Sequence, residues 1–377
     1  MQAQNHNTSF LLFFLIAFLV SCGMHLLIYY TYFRYSQRYA YYFVWGLFLC
    51  NILFTLHHYF NLPYLLELLF STCLGVSFLL FSGAIFYYIF LSPLLIFATK
   101  EQYHLLMPSI RYFSFILAIC AIFYGLYAGL YKKPIIKNIE ISISGLQKEM
   151  KIIQISDLHI NTLTRIQNLQ KMIQKVNELK PDAIMLTGDI IDSNSHRIEE
   201  KIMLLKNLKA KFGIYYILGN HEYYHNTEEI LDLIRELGIV VLNNTSTTIN
   251  IDSTPLINII GITDLSGEKM GFLKPNIKQA ILKGNPKVPS ILLSHQPKVL
   301  KFIGNKKIEL ILSGHTHGGQ IFPFNFLVAL DQPYVKGLHL YKPNQYIYVS
   351  QGSGTWGPPM RLGSTSEITY ITLKPQE

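Results

Sequence analysis

Four long apolar stretches in the first third of the chain constrain its fold more than any other feature. Up to residue 131 the only charged side chains are Arg34, Arg38, Glu67, Lys100, Glu101 and Arg111. A helix needs about 20 apolar residues to cross the hydrocarbon core of a bilayer. The sequence therefore predicts an all-α transmembrane domain over residues 1–131, with spans at about 10–33, 41–60, 65–98 and 113–131.

Two of these stretches leave alternatives open. The third is longer than one span requires, so it predicts either a tilted helix or a helix that breaks at Ser92-Pro93. The first could be a cleaved signal peptide, but residues 1–9 carry no basic side chain and three more apolar stretches follow. His57 and His58, near the end of the second span, are interpreted as interfacial, although ionisable residues inside a membrane would suggest a functional site.

Basic residues predict the orientation only weakly. They concentrate in the loops after the first and third spans: Arg34, Arg38, Lys100 and Arg111. Because loops rich in Lys and Arg tend to face the cytoplasm, the N-terminus and everything after residue 131 would lie outside. Lys132, Lys133 and Lys137 favour the reverse orientation. Both remain open, and we favour a multi-pass protein of the cell membrane whose second domain is external.

The composition changes at Lys132-Lys133-Pro134, which we interpret as the start of a second domain over residues 132–377. Apolar runs first alternate with helical patterns and then follow one another as strands, which predicts an α/β (α+β) fold of two packed sheets flanked by helices. The region from Phe322 to Leu340 has few regular signals and is predicted to be a long loop over the functional site. All four cysteines precede residue 131, so a cysteine zinc site in this domain is excluded.

Five short polar segments punctuate the second domain, and each follows an apolar run typical of a buried strand. They are Asp157-Leu158-His159, Gly188-Asp189, Gly219-Asn220-His221-Glu222, Ser294-His295 and Gly314-His315-Thr316-His317-Gly318-Gly319. In open α/β sheets, ligands bind beyond the carboxyl ends of the strands. The segments are therefore expected to meet at one edge of the fold.

The side chains of these segments suit divalent metal ions. Carboxylate, imidazole and amide groups are typical ligands of Mn, Fe and Zn. A carboxylate at Asp189 could bridge two ions about 3.5–4 Å apart, the usual spacing in two-metal hydrolases. Such a pair lowers the pKa of a bound water and neutralises phosphoryl charge. Glycines beside the ligands (Gly188, Gly219 and Gly314) permit sharp turns that a Cβ would obstruct. The pattern predicts hydrolysis of phosphate esters.

All five segments, in this order, resemble the calcineurin-like metallophosphoesterase superfamily over roughly residues 151–373. The resemblance implies a four-layer β-sandwich flanked by helices. It implies one ion held by Asp157, His159, Asp189 and His317, and a second held by Asp189, Asn220, His295 and His315, with Asp189 bridging. It also implies that His221 is a histidine that binds no metal and instead stabilises the transition state or protonates the leaving oxygen.

Further motifs narrow the resemblance to membrane-attached bacterial phosphoesterases. They are Gln154-Ile155-Ser156-Asp157-Leu158-His159, the Gly314–Gln320 segment, and Gly354-Thr355-Trp356-Gly357-Pro358-Pro359-Met360-Arg361. Some relatives in that branch act on lipid or sugar-nucleotide phosphodiesters, so the resemblance implies such a substrate beside a lipid bilayer. Nucleic acid is not an expected partner, because no basic run interleaved with aromatic residues is present near the site.

Two acidic residues close to the motifs have competing interpretations. Asp192 is interpreted as the cap of a helix that begins near Ser195, with contact to a metal ligand as the alternative. Glu222 is interpreted as a hydrogen-bond anchor for its turn rather than as a ligand.

Three histidines and one arginine that lie outside the five polar segments also have competing interpretations. His196, His225 and His339 are interpreted as surface residues, with His225 kept as a candidate substrate contact. Arg361 is a candidate contact to phosphate, with a structural ion pair as the equal alternative.

The leading hypothesis is a membrane-anchored phosphoesterase with two divalent ions that hydrolyses phosphodiester or pyrophosphate bonds, lipid-linked substrates among them. One alternative is a membrane sensor whose metal domain binds without hydrolysis. Another is a phosphatase or nuclease of the same superfamily.

Overall fold

The chain divides into two compact units in the computed structural model, which describes residues 2–36, 38–56 and 62–376. The first unit comprises residues 1–131 together with 357–362, and the second comprises residues 132–356 and 363–377. His57 and His58 lie outside the described residues.

The first unit is built from long apolar helices. They are α1 (Gln2–Ile28), α2 (Arg38–Leu56), α3 (Tyr64–Phe86) and α4 (Lys100–Leu130). A π-helical turn extends α1 to Phe33, and a second extends α3 to Leu91. The stretches Phe14–Phe33, Arg38–Leu56, Tyr64–Leu91 and Lys100–Leu130 are each long and apolar enough to cross a membrane.

Helix α4 begins well before the predicted start of the fourth span. Thr99 caps the helix: its hydroxyl accepts from the backbone of Gln102, whose side chain accepts from the backbone of Thr99. This reciprocal pair satisfies two backbone N–H groups and fixes the start at Lys100. The expectation that Lys100 and Arg111 lie in a loop was therefore wrong, because both are helical. The predicted break at Ser92-Pro93 coincides with a short 3-10 turn, Ser92–Leu95.

Residues 357–362 pack against α3 and α4. The backbone N–H of Arg361 donates to the carbonyl of Gly125 at 3.0 Å. A Cβ on Gly129 would lie 2.3 Å from the carbonyl oxygen of Pro359, and one on Gly75 would lie 2.6 Å from the sulfur of Met360. Glycines on both helices therefore make room for this segment. The domain division predicted from the sequence had placed these residues in the second domain.

The second unit contains two six-stranded sheets. The first sheet has the order β1-β12-β2-β3-β4-β5 and the second has the order β10-β11-β9-β8-β7-β6. Strands of the first sheet are β1 (Ile135–Ile143), β2 (Met150–Ile155), β3 (Ala183–Thr187), β4 (Ile214–Ile217), β5 (Val240–Val241) and β12 (Glu367–Pro375). Strands of the second are β6 (Thr245–Ile251), β7 (Thr254–Gly261), β8 (Ser290–Leu293), β9 (Leu310–Ser313), β10 (Gly337–Lys342) and β11 (Gln345–Val349).

Strands β2, β3 and β4 run parallel to one another, as do β7, β8 and β9. Their apolar side chains form a core between the two sheets that includes Ile152, Met185, Ile291 and Leu312. Helices α5 (Ile166–Glu178), α6 (Ser195–Met203) and α7 (Thr227–Glu236) cover the outer face of the first sheet. Helices α8 (Ile277–Leu282) and α9 (Leu300–Ile303) cover the second. The predicted four-layer sandwich is confirmed.

The region Phe322–Leu340 is not the long loop that the sequence predicted. It contains helix α10 (Phe324–Asp331) and the start of β10, which pairs antiparallel with β11. The helix lacks the alternation of apolar and polar faces by which short helices are recognised, because six of its eight residues are apolar.

Candidate metal centre

The five polar segments meet at one end of the sandwich because the strands that precede them end there. Asp157 lies two residues after the end of β2, Asp189 two residues after the end of β3, and Asn220 three residues after the end of β4. His295 and His315 follow β8 and β9 of the other sheet. Hydrogen bonds join the two sheets here: the backbone N–H of His315 donates to Asp157 Oδ1 at 2.8 Å.

Six of the seven predicted ligands fall into compact groups of ligand atoms. One group contains Asp157, His159 and His317, and another contains Asp189, His295 and His315; within each, the potential ligand atoms lie within 4.8 Å of one another. A third group, formed by His159, Asp189 and His221, overlaps both. It shares His159 with the first group and Asp189 with the second, so the three groups are contiguous.

Asp189 lies at the centre of these groups. Its Oδ2 is 3.1 Å from Nε2 of His295, 3.9 Å from Nε2 of His159 and 4.0 Å from Nε2 of His221. Burial would raise the pKa of the Asp189 carboxyl, but the neighbouring His295 and His221 bring it well below its usual range. The group is therefore ionised, as the bridging role predicted for it from the sequence requires.

Hydrogen bonds on Nδ1 fix which ring nitrogen two of the histidines present. His295 donates from Nδ1 to the carbonyl oxygen of Thr187 at 2.9 Å, and Nδ1 of His159 lies 3.1 Å from Asp192 Oδ2. A histidine that donates through Nδ1 is left with Nε2 to bind a metal, which is the usual arrangement around metal ions. Burial lowers the pKa of His315 to about 3, so this ring is neutral.

Orphaned polar atoms in the buried site fit the predicted ions. Among the described residues, Asp157 Oδ2 and Asn220 Oδ1 have no hydrogen-bond partner. The Nε2 atoms of His159 and His317 face each other at 2.9 Å. Burying a polar atom without a partner costs about 1–3 kcal/mol, and a cation between such atoms would remove that cost. The donor set of carboxylate, imidazole and amide suits first-row transition ions.

Unusual backbone geometry orients the ligands. Asp157, His159, Asp189, His315 and His317 all have φ between 48° and 69°. Residues other than glycine rarely adopt this left-handed conformation, and its cost is typically tolerated at functional sites. The strain thus coincides with the positions from which side chains must turn toward a common point.

Two glycines leave room for the carboxylates. A Cβ on Gly219 would lie 2.2 Å from Asp189 Oδ1, and one on Gly314 would lie 2.1 Å from Asp157 Oδ2. Neither position could carry a side chain without moving a predicted ligand. The glycines in the motifs are therefore required by space at the site.

Asp192 does not cap the helix that follows it, so that interpretation was wrong. The cap of α6 is Asn194, whose side chain accepts from the backbone N–H of His196. Asp192 Oδ1 instead lies 2.7 Å from Nδ1 of His221, while its Oδ2 binds His159. The alternative weighed from the sequence, contact with a ligand of the site, is the one observed.

Glu222 anchors its turn as predicted. Its carboxylate accepts hydrogen bonds from the backbone N–H groups of Gly219, Asp189, Ile190 and Ile191, at 2.7–3.1 Å. The side chain is fully buried. By gathering amides from two motif segments, it holds the turns that carry Asp189 and Asn220 against each other.

The pKa of His221 is raised, as is that of His295 beside Asp189. Burial alone would lower the pKa of His221, but the charges of Asp192 and Asp189 raise it to about 9. Its ring lies beside those of Tyr224 and Trp356, with centroids 5.2 and 6.1 Å away. Sequence reasoning missed these two aromatic neighbours; Trp356 lies far along the chain, and only its place in a motif pointed to the site.

Of the remaining candidate site residues, two lie at the surface and two are largely buried. His196 is exposed and lies 3.3 Å from Glu229, and His339 stacks on Tyr334. His225 is not a surface residue, because only 13% of its side chain is exposed and Nε2 lies 3.5 Å from Asp192. Arg361 is 1% exposed and belongs to residues 357–362 of the first unit. A role in substrate binding for His225 and Arg361 stays a prediction.

Comparisons with known proteins find metallophosphoesterases. The family description "Calcineurin-like phosphoesterase" matches residues 150–319. An uncharacterized metallophosphoesterase of Helicobacter pylori (strain ATCC 700392 / 26695) is 36% identical over 320 residues, which is 84% of each chain. A transmembrane protein with metallophosphoesterase domain from Danio rerio is 32% identical, over 83% of this chain and 74% of the relative. Among solved structures, a dimetal phosphatase from Danio rerio matches with 14% identity and a TM-score of 0.33, covering 56% of this chain and 89% of that one.

The chain belongs to the calcineurin-like metallophosphoesterases. It is a metal-dependent phosphoester hydrolase, and the family implies a centre of two divalent ions. The apolar helices, together with relatives named as transmembrane proteins, indicate a membrane protein. The resemblance stated from the motifs is confirmed.

Proposed function

We propose that this protein is a membrane-anchored hydrolase of phosphodiester or pyrophosphate bonds whose substrates are lipid-linked phosphoesters. The observation that carries the hydrolytic part is the convergence of His159, His221 and His295 on Asp189 Oδ2. The lipid part is supported by chain connectivity: α4 ends at Leu130 and β1 begins at Ile135. So short a linker keeps the hydrolytic unit near the bilayer, where amphiphilic substrates concentrate.

The residues that would hold the ions are those of the motifs. Asp157, His159, Asp189 and His317 would hold one, and Asp189, Asn220, His295 and His315 the other. Mn, Fe and Zn suit this set of ligands. When bound, the two ions supply Lewis acidity toward the phosphoryl oxygens and an activated water at neutral pH.

His221 is proposed to give a proton to the leaving oxygen. Asp192 holds Nδ1 at 2.7 Å, so the proton on Nε2 is the one available for transfer. A pKa raised to about 9 keeps the ring protonated at neutral pH. A positioned acid of this kind contributes roughly 10²–10⁴-fold to a rate. The rings of Tyr224 and Trp356 lie beside the imidazole, with centroids 5.2 and 6.1 Å away.

The phosphoesterase test uses the full-length protein purified in detergent with Mn²⁺. Hydrolysis of bis(p-nitrophenyl) phosphate and bound metal are measured for the wild type, Asp189→Asn and His317→Ala. Both variants are expected to lose bound metal and most activity. His196→Ala is the matched control, because His196 is exposed and outside the site.

Full activity in Asp189→Asn and His317→Ala would overturn the metal mechanism. Metal retention by the wild type without hydrolysis of any phosphoester in a broad panel would favour the sensor alternative. To test the lipid part, the same preparation is assayed on a sugar-nucleotide diphosphate linked to diacylated sugar and on its deacylated form. Equal kcat/KM for the two would contradict a lipid-linked substrate.

A further inference from the structure

Helix α10 exposes an apolar face on the second unit. Phe326 and Leu330 lie four residues apart in α10, and Leu327 lies between them in sequence, so these three share one side of the helix. Phe322 precedes the helix, and its ring centroid lies 5.7 Å from that of Phe326. Their exposed fractions are 49%, 61%, 85% and 57% for Phe322, Phe326, Leu330 and Leu327. None of the eight residues of α10 is buried. A contiguous exposed apolar surface of this kind marks an interaction site.

The helix is fixed to the loop that carries the last predicted metal ligands. A Cβ on Gly319 would lie 2.3 Å from the Cβ of Asn325, so the first turn of α10 packs directly on the backbone after His317. At the other end, Asp331 pairs with Lys298, which compensates its charge. The helix that carries the exposed face is therefore fixed at both ends, and its first turn lies beside the metal-binding loop.

The loop before α10 is bonded to both ends of the segment that belongs to the membrane helices. The side chain of Gln320 donates to the carbonyl of Trp356 at 2.7 Å and accepts from its backbone N–H at 2.9 Å. Ile321 forms an isolated β-bridge with Gly363. Trp356 and Gly363 immediately flank residues 357–362, which cluster with α3 and α4.

We propose that the exposed face of α10 is an interfacial anchor that lies among the headgroups and upper acyl chains of the bilayer crossed by the four helices. The proposal rests on the membrane anchoring in the proposed function. A phospholipid surface fits this face better than a polar partner, because it is formed by Phe and Leu alone. Aromatic and aliphatic side chains of short helices bind at this depth, where apolar rings contact lipid tails. Trp356, which directly precedes residues 357–362, is 43% exposed. Tryptophan is enriched at membrane–water interfaces.

An anchor at this position would hold the metal centre at a fixed depth relative to phosphate groups of lipids. Because α10 packs on Gly319, next to His317, a change in its depth would be passed directly to the metal-binding loop. The function of the helix would thus be to align the site with substrates that remain in the membrane.

The test places the environment-sensitive fluorescent amino acid Anap at Leu330 of the full-length chain. A second protein carries it at Leu282, which is 82% exposed against 85% for Leu330 and lies in α8. Each is reconstituted in nanodiscs of phosphatidylcholine and phosphatidylglycerol, with or without doxyl-labelled lipid. Emission at position 330 is expected to be blue-shifted and quenched by the doxyl lipid by roughly twofold or more, as for a side chain at the lipid interface. Position 282 is expected to show neither effect.

Equal and negligible lipid quenching at positions 330 and 282 would overturn the proposal. Protection of position 330 that depends on the number of chains per nanodisc would identify a second copy as the occupant, and would also overturn it. The readout does not need hydrolysis, so an inactive protein with a quenched probe would refute the proposed function and keep the anchor. The double variant Leu327→Ser/Leu330→Ser should lose the lipid contact, which is measured as loss of the quenching of Anap placed at Phe326. The same variant should retain hydrolysis of bis(p-nitrophenyl) phosphate.

Discussion

The carboxylate of Asp192 contacts Nδ1 of two histidines and also lies 3.5 Å from Nε2 of a third, His225. Its two oxygens contact Nδ1 of His159 and Nδ1 of His221, and the closer contact, 2.7 Å, is to His221. A partner of this kind orients the ring and sets which nitrogen carries the proton. Asp192 therefore acts on a predicted metal ligand and on the predicted proton donor at the same time.

Replacing Asp192 with Asn should reduce catalysis more than it reduces metal binding. The amide keeps the shape but removes the negative charge that raises the pKa of His221. We expect kcat to fall by roughly 10²-fold, the lower end of the contribution of a positioned acid. The loss should be greater for phenyl or alkyl esters than for p-nitrophenyl esters, whose leaving group needs little protonation. Steady-state kinetics on this substrate series measures the difference.

Asp232→Asn is the control for Asp192→Asn, because Asp232 is exposed and pairs only with Arg235 among the described contacts. A loss that is the same for every leaving group would contradict the role of the Asp192–His221 pair in proton donation. Spacing could not have distinguished this role from a helix cap. An Asp three residues before Ser195 suits either, and only the observed cap at Asn194 decides between them.

The strand ends are the elements that could be predicted best. Strands β2, β3, β8 and β9 are short, apolar and almost fully buried, so their sequence runs are unambiguous. Each ends at a polar motif, and parallel pairing brings those ends together. What the runs could not reveal is the left-handed backbone of the ligands, because Asp and His adopt a positive φ at only a small fraction of their positions.

Gly219→Ala should disrupt the metal centre through space alone. The added Cβ would lie 2.2 Å from Asp189 Oδ1 and 2.4 Å from its backbone nitrogen, so the central carboxylate must move. We expect bound Mn²⁺, measured by elemental analysis after gel filtration, to fall from about two equivalents to one or fewer. Activity should fall with it.

Gly46→Ala is the matched control for Gly219→Ala, because no described atom lies within 4 Å of the added Cβ and alanine favours the helix. Two equivalents of metal in Gly219→Ala, with activity like that of the wild type, would show that the turn tolerates a side chain. The close approach would then not be required.

Helix α10 is the element that sequence reasoning missed, and its physical character explains why. A short helix is normally recognised by one apolar and one polar face. Here apolar residues occupy most of the helix and the exposed face as well, so neither a helical nor a strand period stands out. A helix whose apolar residues face outward lacks the two-sided pattern on which such predictions depend.

At the scale of the whole molecule, basic residues of the first unit cluster at one end of its helix bundle. Arg34 and Arg111 both lie over the ring of Tyr35, at 4.5 and 5.0 Å. The turn after α1 and the first half of α4 therefore share one end of the helix bundle, although Arg111 is helical rather than in a loop. That end also begins α4 at Lys100. The sequence analysis placed these basic residues on one side of the membrane, and the observed helix boundaries leave that grouping unchanged.

This clustering leads to an expectation about the side of the membrane. The end that carries Arg34, Arg38, Lys100 and Arg111 should face the cytoplasm, because positive charge close to helix ends is retained there. Helix α4 then crosses outward from Lys100 to Leu130, and the hydrolytic unit that follows it lies outside. Lys132 and Lys133 oppose this orientation, but they are fewer than the basic residues at the other end.

Reporter fusions measure the orientation directly. Alkaline phosphatase fused after residue 377 should be active and green fluorescent protein at the same position dark, because the first needs an external location to fold and the second a cytoplasmic one. The same reporters fused after Tyr35 should give the reverse result and serve as the internal control. Fluorescence at the C-terminus with inactive phosphatase would place the hydrolytic unit in the cytoplasm. In that case Lys132, Lys133 and Lys137 would outweigh the cluster around Tyr35, and substrates made on the cytoplasmic leaflet would become the ones to test first.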